Sequence, residues 1–171
     1  SNEILTIQDY NSNGGVYLKA YSVSPIEYGT INFTIRINSD FSDKKIFRIL
    51  FSSYSENYPV FSLGFEDSNL IVRNYTNGQE IGNYVNKITN LKINEWYSCQ
   101  IEFEYTNGFY GNLEESKMRF LLNGSSFGEF IIQNDENNIA NIIFYTINDN
   151  IAILMKDITF SWIPISYNFI Q

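Results

Sequence analysis

Polar and apolar residues alternate with a period of two along most of this chain. After Trp96, residues Tyr97, Cys99, Ile101, Phe103 and Tyr105 fall on one face, and Ser98, Gln100, Glu102 and Glu104 on the other. Alternation over that length predicts a strand with one face buried. Ile31, Phe33, Ile35 and Ile37 repeat the pattern against Asn32, Thr34 and Arg36. Shorter runs of β-branched and aromatic residues predict further strands over residues 5–8, 16–21, 46–51, 61–65, 70–75, 117–122, 127–132, 142–147 and 151–162. Ser24-Pro25 predicts a break, and residues 81–94 read as less regular. Asn77-Gly78 and Asn123-Gly124 predict tight hairpins, because a type I′ turn needs positive φ at both central residues. No segment carries a helical period. About a dozen short strands at even spacing predict an all-β antiparallel two-sheet sandwich or barrel.

Composition narrows the function classes. The 171 residues suit one domain, residues 1–171, with 44% hydrophobic and 17% aromatic residues to fill its core. A net charge of −8 argues against nucleic acid, whose phosphates call for a basic patch. No run approaches the length of a membrane span, so no membrane insertion is expected. With no His and one Cys, the chain lacks a zinc-finger ligand set, a His-based catalytic dyad and an internal disulfide. Cys99, on an apolar face, reads as a small buried hydrophobe.

The order of five blocks resembles the laminin G-like and concanavalin A-like jelly roll. They are residues 29–36, residues 61–65 with 70–72, the Trp96-Tyr97-x-Cys99-x-Ile101 strand, Phe120-Leu121-Leu122-Asn123-Gly124, and residues 155–160. The resemblance implies a concanavalin A-like jelly-roll sandwich whose last strand runs beside its first. It also implies an extracellular or cell-surface location, a phage tail included, within a longer multidomain protein. The chain departs from many laminin G domains in lacking a C-terminal disulfide pair. Such a fold hosts lectins, adhesion domains and some hydrolases, so function rests on the site.

Three groups of residues bear on that site. Tyr54, Tyr58, Tyr75, Tyr84, Phe109 and Tyr110 lie in or beside loops, where rings can stack on sugar faces while Asn, Asp and Glu bond the hydroxyls. They are the expected ligand contacts, with carbohydrate or a glycoprotein as partner. Glu102 and Glu104 share a strand face at a spacing of about 6.6–6.8 Å, within the range of a glycosidase carboxylate pair. Hydrolases with this jelly roll carry a third carboxylate on the strand, and that is missing here. The expectation is therefore a non-enzymatic module with no catalytic residues. Asn148 and Asp149, with Asp135 and Glu136 in the preceding loop, offer oxygens of the kind calcium takes, though they match no fixed calcium motif. No other cofactor is expected. The alternative to sugar binding is a laminin G-like structural or protein-interaction domain that self-associates as a homo-oligomer.

Overall fold

The computed structural model describes residues 4–8, 17–38, 45–53, 58–66, 69–76, 78–87, 91–104, 116–132, 139–146 and 152–164. Within these, eleven strands run in order. They are β1 (Leu5–Gln8), β2 (Tyr17–Ile37), β3 (Lys45–Ser52), β4 (Pro59–Glu66), β5 (Asn69–Thr76), β6 (Gln79–Lys87), β7 (Trp96–Glu104), β8 (Ser116–Leu122), β9 (Ser125–Ile132), β10 (Ile139–Thr146) and β11 (Ala152–Pro164). All pairings are antiparallel, and β1 pairs with β11, first strand beside last.

β2 organises the fold. Its first part pairs with β10 at Tyr17–Tyr21, and its second part pairs with β7 and β11 from Tyr28 to Ile37. The long strand therefore belongs to two layers. One runs β6-β5-β4-β3-β10-β2, and the other runs β11-β2-β7-β8-β9 with β1 outside β11. The break expected at Ser24-Pro25 is not a chain break. The register of β2 on β10 shifts between Tyr21 and Ile26, so the proline sits at an irregularity, where its missing N–H removes no ladder bond. The segment after Asn77-Gly78 forms edge strand β6, which is more regular than its sequence suggested.

The core lies between the layers. Ile31, Phe33, Ile35 and Ile37 of β2 are all buried, as their alternation predicts, and so are Tyr97, Cys99, Ile101 and Phe103 of β7. Aromatic rings bridge the sheets. Phe51 and Phe61 stack at 4.1 Å, and Phe103 of the opposite layer meets Phe51 edge-on at 5.4 Å. Phe65 meets Phe120, and Phe33 meets Phe144, in similar edge-on contacts. Such pairs contribute about 0.5–1.5 kcal/mol each beyond the area they bury. Gly29 lies opposite Phe103 in register, and a Cβ there would stand 2.3 Å from the ring. In β11 a bulge at Asp157, with φ of 53°, moves the inward set from Ile153 and Met155 to Ile158 and Phe160.

The hairpin prediction at Asn123-Gly124 holds, with φ of 49° and 77°. Asn123 does more than turn the chain. Its N–H donates to the Ser98 carbonyl at 2.7 Å, and its Oδ1 accepts from the Ser98 N–H at 2.9 Å.

Candidate functional site

Strand β4 is covered on both faces. In β4 every residue from Val60 to Glu66 is buried. Its odd positions, Phe61, Leu63 and Phe65, face the core. Its even positions, Ser62, Gly64 and Glu66, face outward, away from the other sheet. A strand buried on its solvent side needs a cover, and here the cover is polar. Arg48 lies opposite Gly64 on β3, and Arg73 lies opposite Ser62 on β5. Gly64 offers no side chain, so the long side chains meet above it at Glu66.

The resulting ladder is continuous. Arg73 donates from Nη1 and Nη2 to Glu66 Oε1 and Oε2 at 2.8 and 2.7 Å, a bidentate pair. Arg48 Nη2 donates to Glu66 Oε1 at 2.8 Å. Arg73 Nε reaches Glu80 of β6 at 3.2 Å, and Arg48 Nη1 lies 3.4 Å from the Tyr145 hydroxyl of β10. Tyr75 and Ser62 hydrogen-bond at 3.1 Å on the same face. Two cations and two carboxylates balance to zero. Burial pushes the Glu66 carboxyl up, but the hydrogen bonds from Arg73 and Arg48 outweigh it and hold the group below the usual carboxylate range. For Arg48, burial works against the charge, and the Glu66 bond together with Tyr145 and Tyr75 more than restores it. Burial raises the Tyr145 hydroxyl, and Arg48 offsets only part of that.

Among the described residues, Arg48 Nε and Ser52 Oγ on this face are buried with no hydrogen-bond partner. Their lack of accessible surface places both atoms beneath the ladder rather than at its surface. The side-chain bonds between Arg48, Glu66, Arg73 and Glu80 hold these polar groups in fixed positions. A second anion would add charge to an already balanced ladder.

The residues singled out from sequence scatter. Tyr58 is 45% exposed and stands at the end of this face, where its carbonyl accepts from the Ser53 N–H at 3.2 Å. Tyr75 is a buried strand residue whose hydroxyl hydrogen-bonds with Ser62. Tyr84 points the other way, its ring 5.9 Å from Phe130 at the sandwich rim. Tyr54, Phe109, Tyr110, Asn148, Asp149, Asp135 and Glu136 lie outside the described residues. Among the described residues, no group of three or more His, Cys, Asp or Glu is placed to hold a metal. Glu102 is engaged by Arg119 at 3.3 Å and by Gln100 at 3.1 Å, and Arg119 also pairs with Glu129. These are the contacts of a carboxylate on a solvated strand face. Glu104 lies opposite Lys117 in register.

Sequence reasoning passed over Arg48, Glu66 and Arg73. Each is an ordinary outward position in its own strand. The available signal was the pair Ser62 and Gly64, small residues on the outward side of an otherwise aromatic strand.

No family model matches the chain, and no curated protein matches it by sequence. Solved structures do match in shape. A sialidase superposes with a TM-score of 0.68 at 13% identity over 93% of this chain and 15% of its own. The botulinum neurotoxin serotype D ligand binding domain, solved with N-acetylneuraminic acid, gives 0.64 at 16% identity over 96% of this chain and 40% of its own. Sheep galectin-11, solved with glycerol, gives 0.60 at 10% identity over 88% of this chain and 100% of its own. The chain thus spans about a seventh of the sialidase and two fifths of the toxin domain. At these identities the likeness is one of fold, and it shows that the chain is a jelly-roll β-sandwich of two antiparallel sheets.

Proposed function

We propose that the protein is a non-catalytic carbohydrate-binding module. Its site is the outer face of β3, β4 and β5, centred on Arg48, Glu66 and Arg73, with Tyr58 at one end as the stacking ring. The observation that carries the reading is the charge-balanced ladder of Arg48, Glu66, Arg73 and Glu80, held in fixed geometry on a face turned away from the core. Fixed donors and acceptors over a sheet suit sugar hydroxyls, and the galectins and toxin binding domains of the same fold support that ligand class. Charge balance favours a neutral sugar or the neutral part of a glycoprotein glycan. The module works outside the cell or at its surface, as one part of a longer chain, and gains strength through multiple copies.

A glycan array with calcium, and again with EDTA, tests the reading. A defined set of neutral hits that Tyr58→Ala weakens at unchanged melting temperature would support it. Loss of the hits in EDTA would bring in calcium at Asn148 and Asp149. A blank array in both conditions would refute it.

A second reading rests on edge strand β6, where Ile81 and Val85 are 50% and 59% exposed. An exposed apolar edge invites pairing with another strand, which suits a self-associating protein-interaction domain. Light scattering separates the two: a mass of one chain with array hits favours the first, and a dimer without hits favours the second.

A further inference from the structure

The other sheet carries a feature that the ladder does not use. Three of the four arginines in the chain, Arg48, Arg73 and Arg119, are ion-paired to glutamates. Arg36 has no such pair among the described residues. Its guanidinium instead lies 4.9 Å from the centre of the Trp96 ring, its register partner across β2 and β7. Lys156 of β11 places its ammonium 4.6 Å from the same ring. It too forms no ion pair among the described residues, although the chain has 19 acidic residues for 11 basic ones. The Nε of Arg36 is buried with no partner.

The register explains why these groups meet. Leu154, Arg36 and Trp96 form one row across β11, β2 and β7. Lys156, Thr34 and Ser98 form the next row, two residues along each strand. Outward side chains in adjacent rows are neighbours. The indole therefore has two cations against it and two hydroxyls in the next row. The nearest acids in sequence are otherwise placed. Glu95 pairs with Lys92 at 3.3 Å and lies 3.4 Å from the Tyr97 hydroxyl. Asp157 is exposed at the bulge, without an ion pair to Lys156 among the described residues.

Cation–π contact holds the two like charges against one ring, and no acidic side chain among the described residues is ion-paired to either. An oxyanion beside them would supply the missing counter-charge. From these positions we infer that Trp96, Arg36 and Lys156 form a second binding site, separate from the ladder, for an acidic saccharide. Its carboxylate or sulfate is held by the two cations that the indole positions, and Thr34 and Ser98 take its hydroxyls. The two sheets then divide the work, with neutral hydroxyls on one outer face and an anionic sugar on the other. This site stands on its own observations and does not depend on the ladder.

The test follows the Trp96 indole N–H by NMR in ¹⁵N-labelled protein, with Trp162→Phe as the background that leaves one indole signal. Three probes are titrated to millimolar concentration: 3′-sialyllactose, lactose and sodium sulfate. The expected result is a saturable shift with sialyllactose, none with lactose, and a much weaker one with sulfate. Lys156→Gln, on the outer face, should weaken sialyllactose binding about tenfold, as loss of one charge-assisted contact implies, and leave the core amide spectrum unchanged. Arg36→Gln should weaken it further. If the indole does not move with sialyllactose, or lactose moves it equally, the inference is wrong. If sulfate alone binds as well as sialyllactose, the saccharide is wrong and the patch is a small-anion site. Neutral-glycan binding at the ladder should survive Lys156→Gln, so failure of one site does not count against the other.

Discussion

Replacing Glu66 by Gln tests the ladder most directly. The substitution keeps the shape and removes the charge. Glu66 is 3% exposed at its side chain, and its partners Arg48 and Arg73 are 18% and 10% exposed. Removing one member of a buried ion pair costs about 3–5 kcal/mol, because the other charge is left uncompensated. Two features reduce that here. Arg73 keeps Glu80 at 3.2 Å, and the oxygen of the introduced amide can still accept one hydrogen bond. The expected loss is about 2–4 kcal/mol, which for a chain of this size lowers the melting temperature by about 5–15 °C. Urea unfolding at pH 7 checks it. The pH dependence gives an independent reading of the same bond. The folded-state pKa of Glu66 lies below its ordinary value of 4.5, so its contribution is complete above pH 4.5 and is lost as pH falls through the folded value. In Glu66→Gln that part of the acid-side loss should disappear, and the two stability curves should converge as the pH falls. If the variant unfolds at the same urea midpoint as the parent at pH 7, the ladder is solvated and neither the burial argument nor the site built on it stands.

Other outcomes follow from single contacts. Gly29→Ala places a methyl group against the buried Phe103 ring, and should destabilise the fold by about 1–3 kcal/mol as overpacking does, read by the urea midpoint. Asn123→Ala loses both the positive-φ residue of the hairpin and the side-chain bond to Ser98, and should cost about 1–2 kcal/mol by the same assay. Cys99 is buried at 1% exposure and burial pushes its thiol well up, so iodoacetamide should label it only at the rate of unfolding. Rapid labelling of the folded protein would show that β7 opens locally.

Much of the fold was legible because strands announce themselves locally. The buried set of β2, Ile31 to Ile37, and that of β7, Tyr97 to Phe103, were read from alternation alone, since a pleated strand sends successive side chains to opposite faces. Asn123-Gly124 was legible for the same reason, because positive φ is a property of two adjacent residues. The order of blocks pointed to a jelly roll with first and last strands adjacent, which the pairing of β1 with β11 shows. Residue type alone could not decide the fate of Tyr75. A tyrosine beside a turn can stand out as a ring or pack into the sheet, and only the pairing of β4 with β5 buried it and set its hydroxyl against Ser62.

The site itself belonged to the tertiary structure. Arg48, Glu66, Arg73 and Glu80 come from four strands, and what brings them together is register between β3, β4, β5 and β6, with Gly64 leaving room beneath. Arg36, Trp96 and Lys156 come from three strands whose adjacency crosses most of the chain. A sequence specifies which side of its own strand each residue faces. Which strands become neighbours, and in what register, is fixed by the packing of two sheets on one core, and the meeting of outward side chains follows from that.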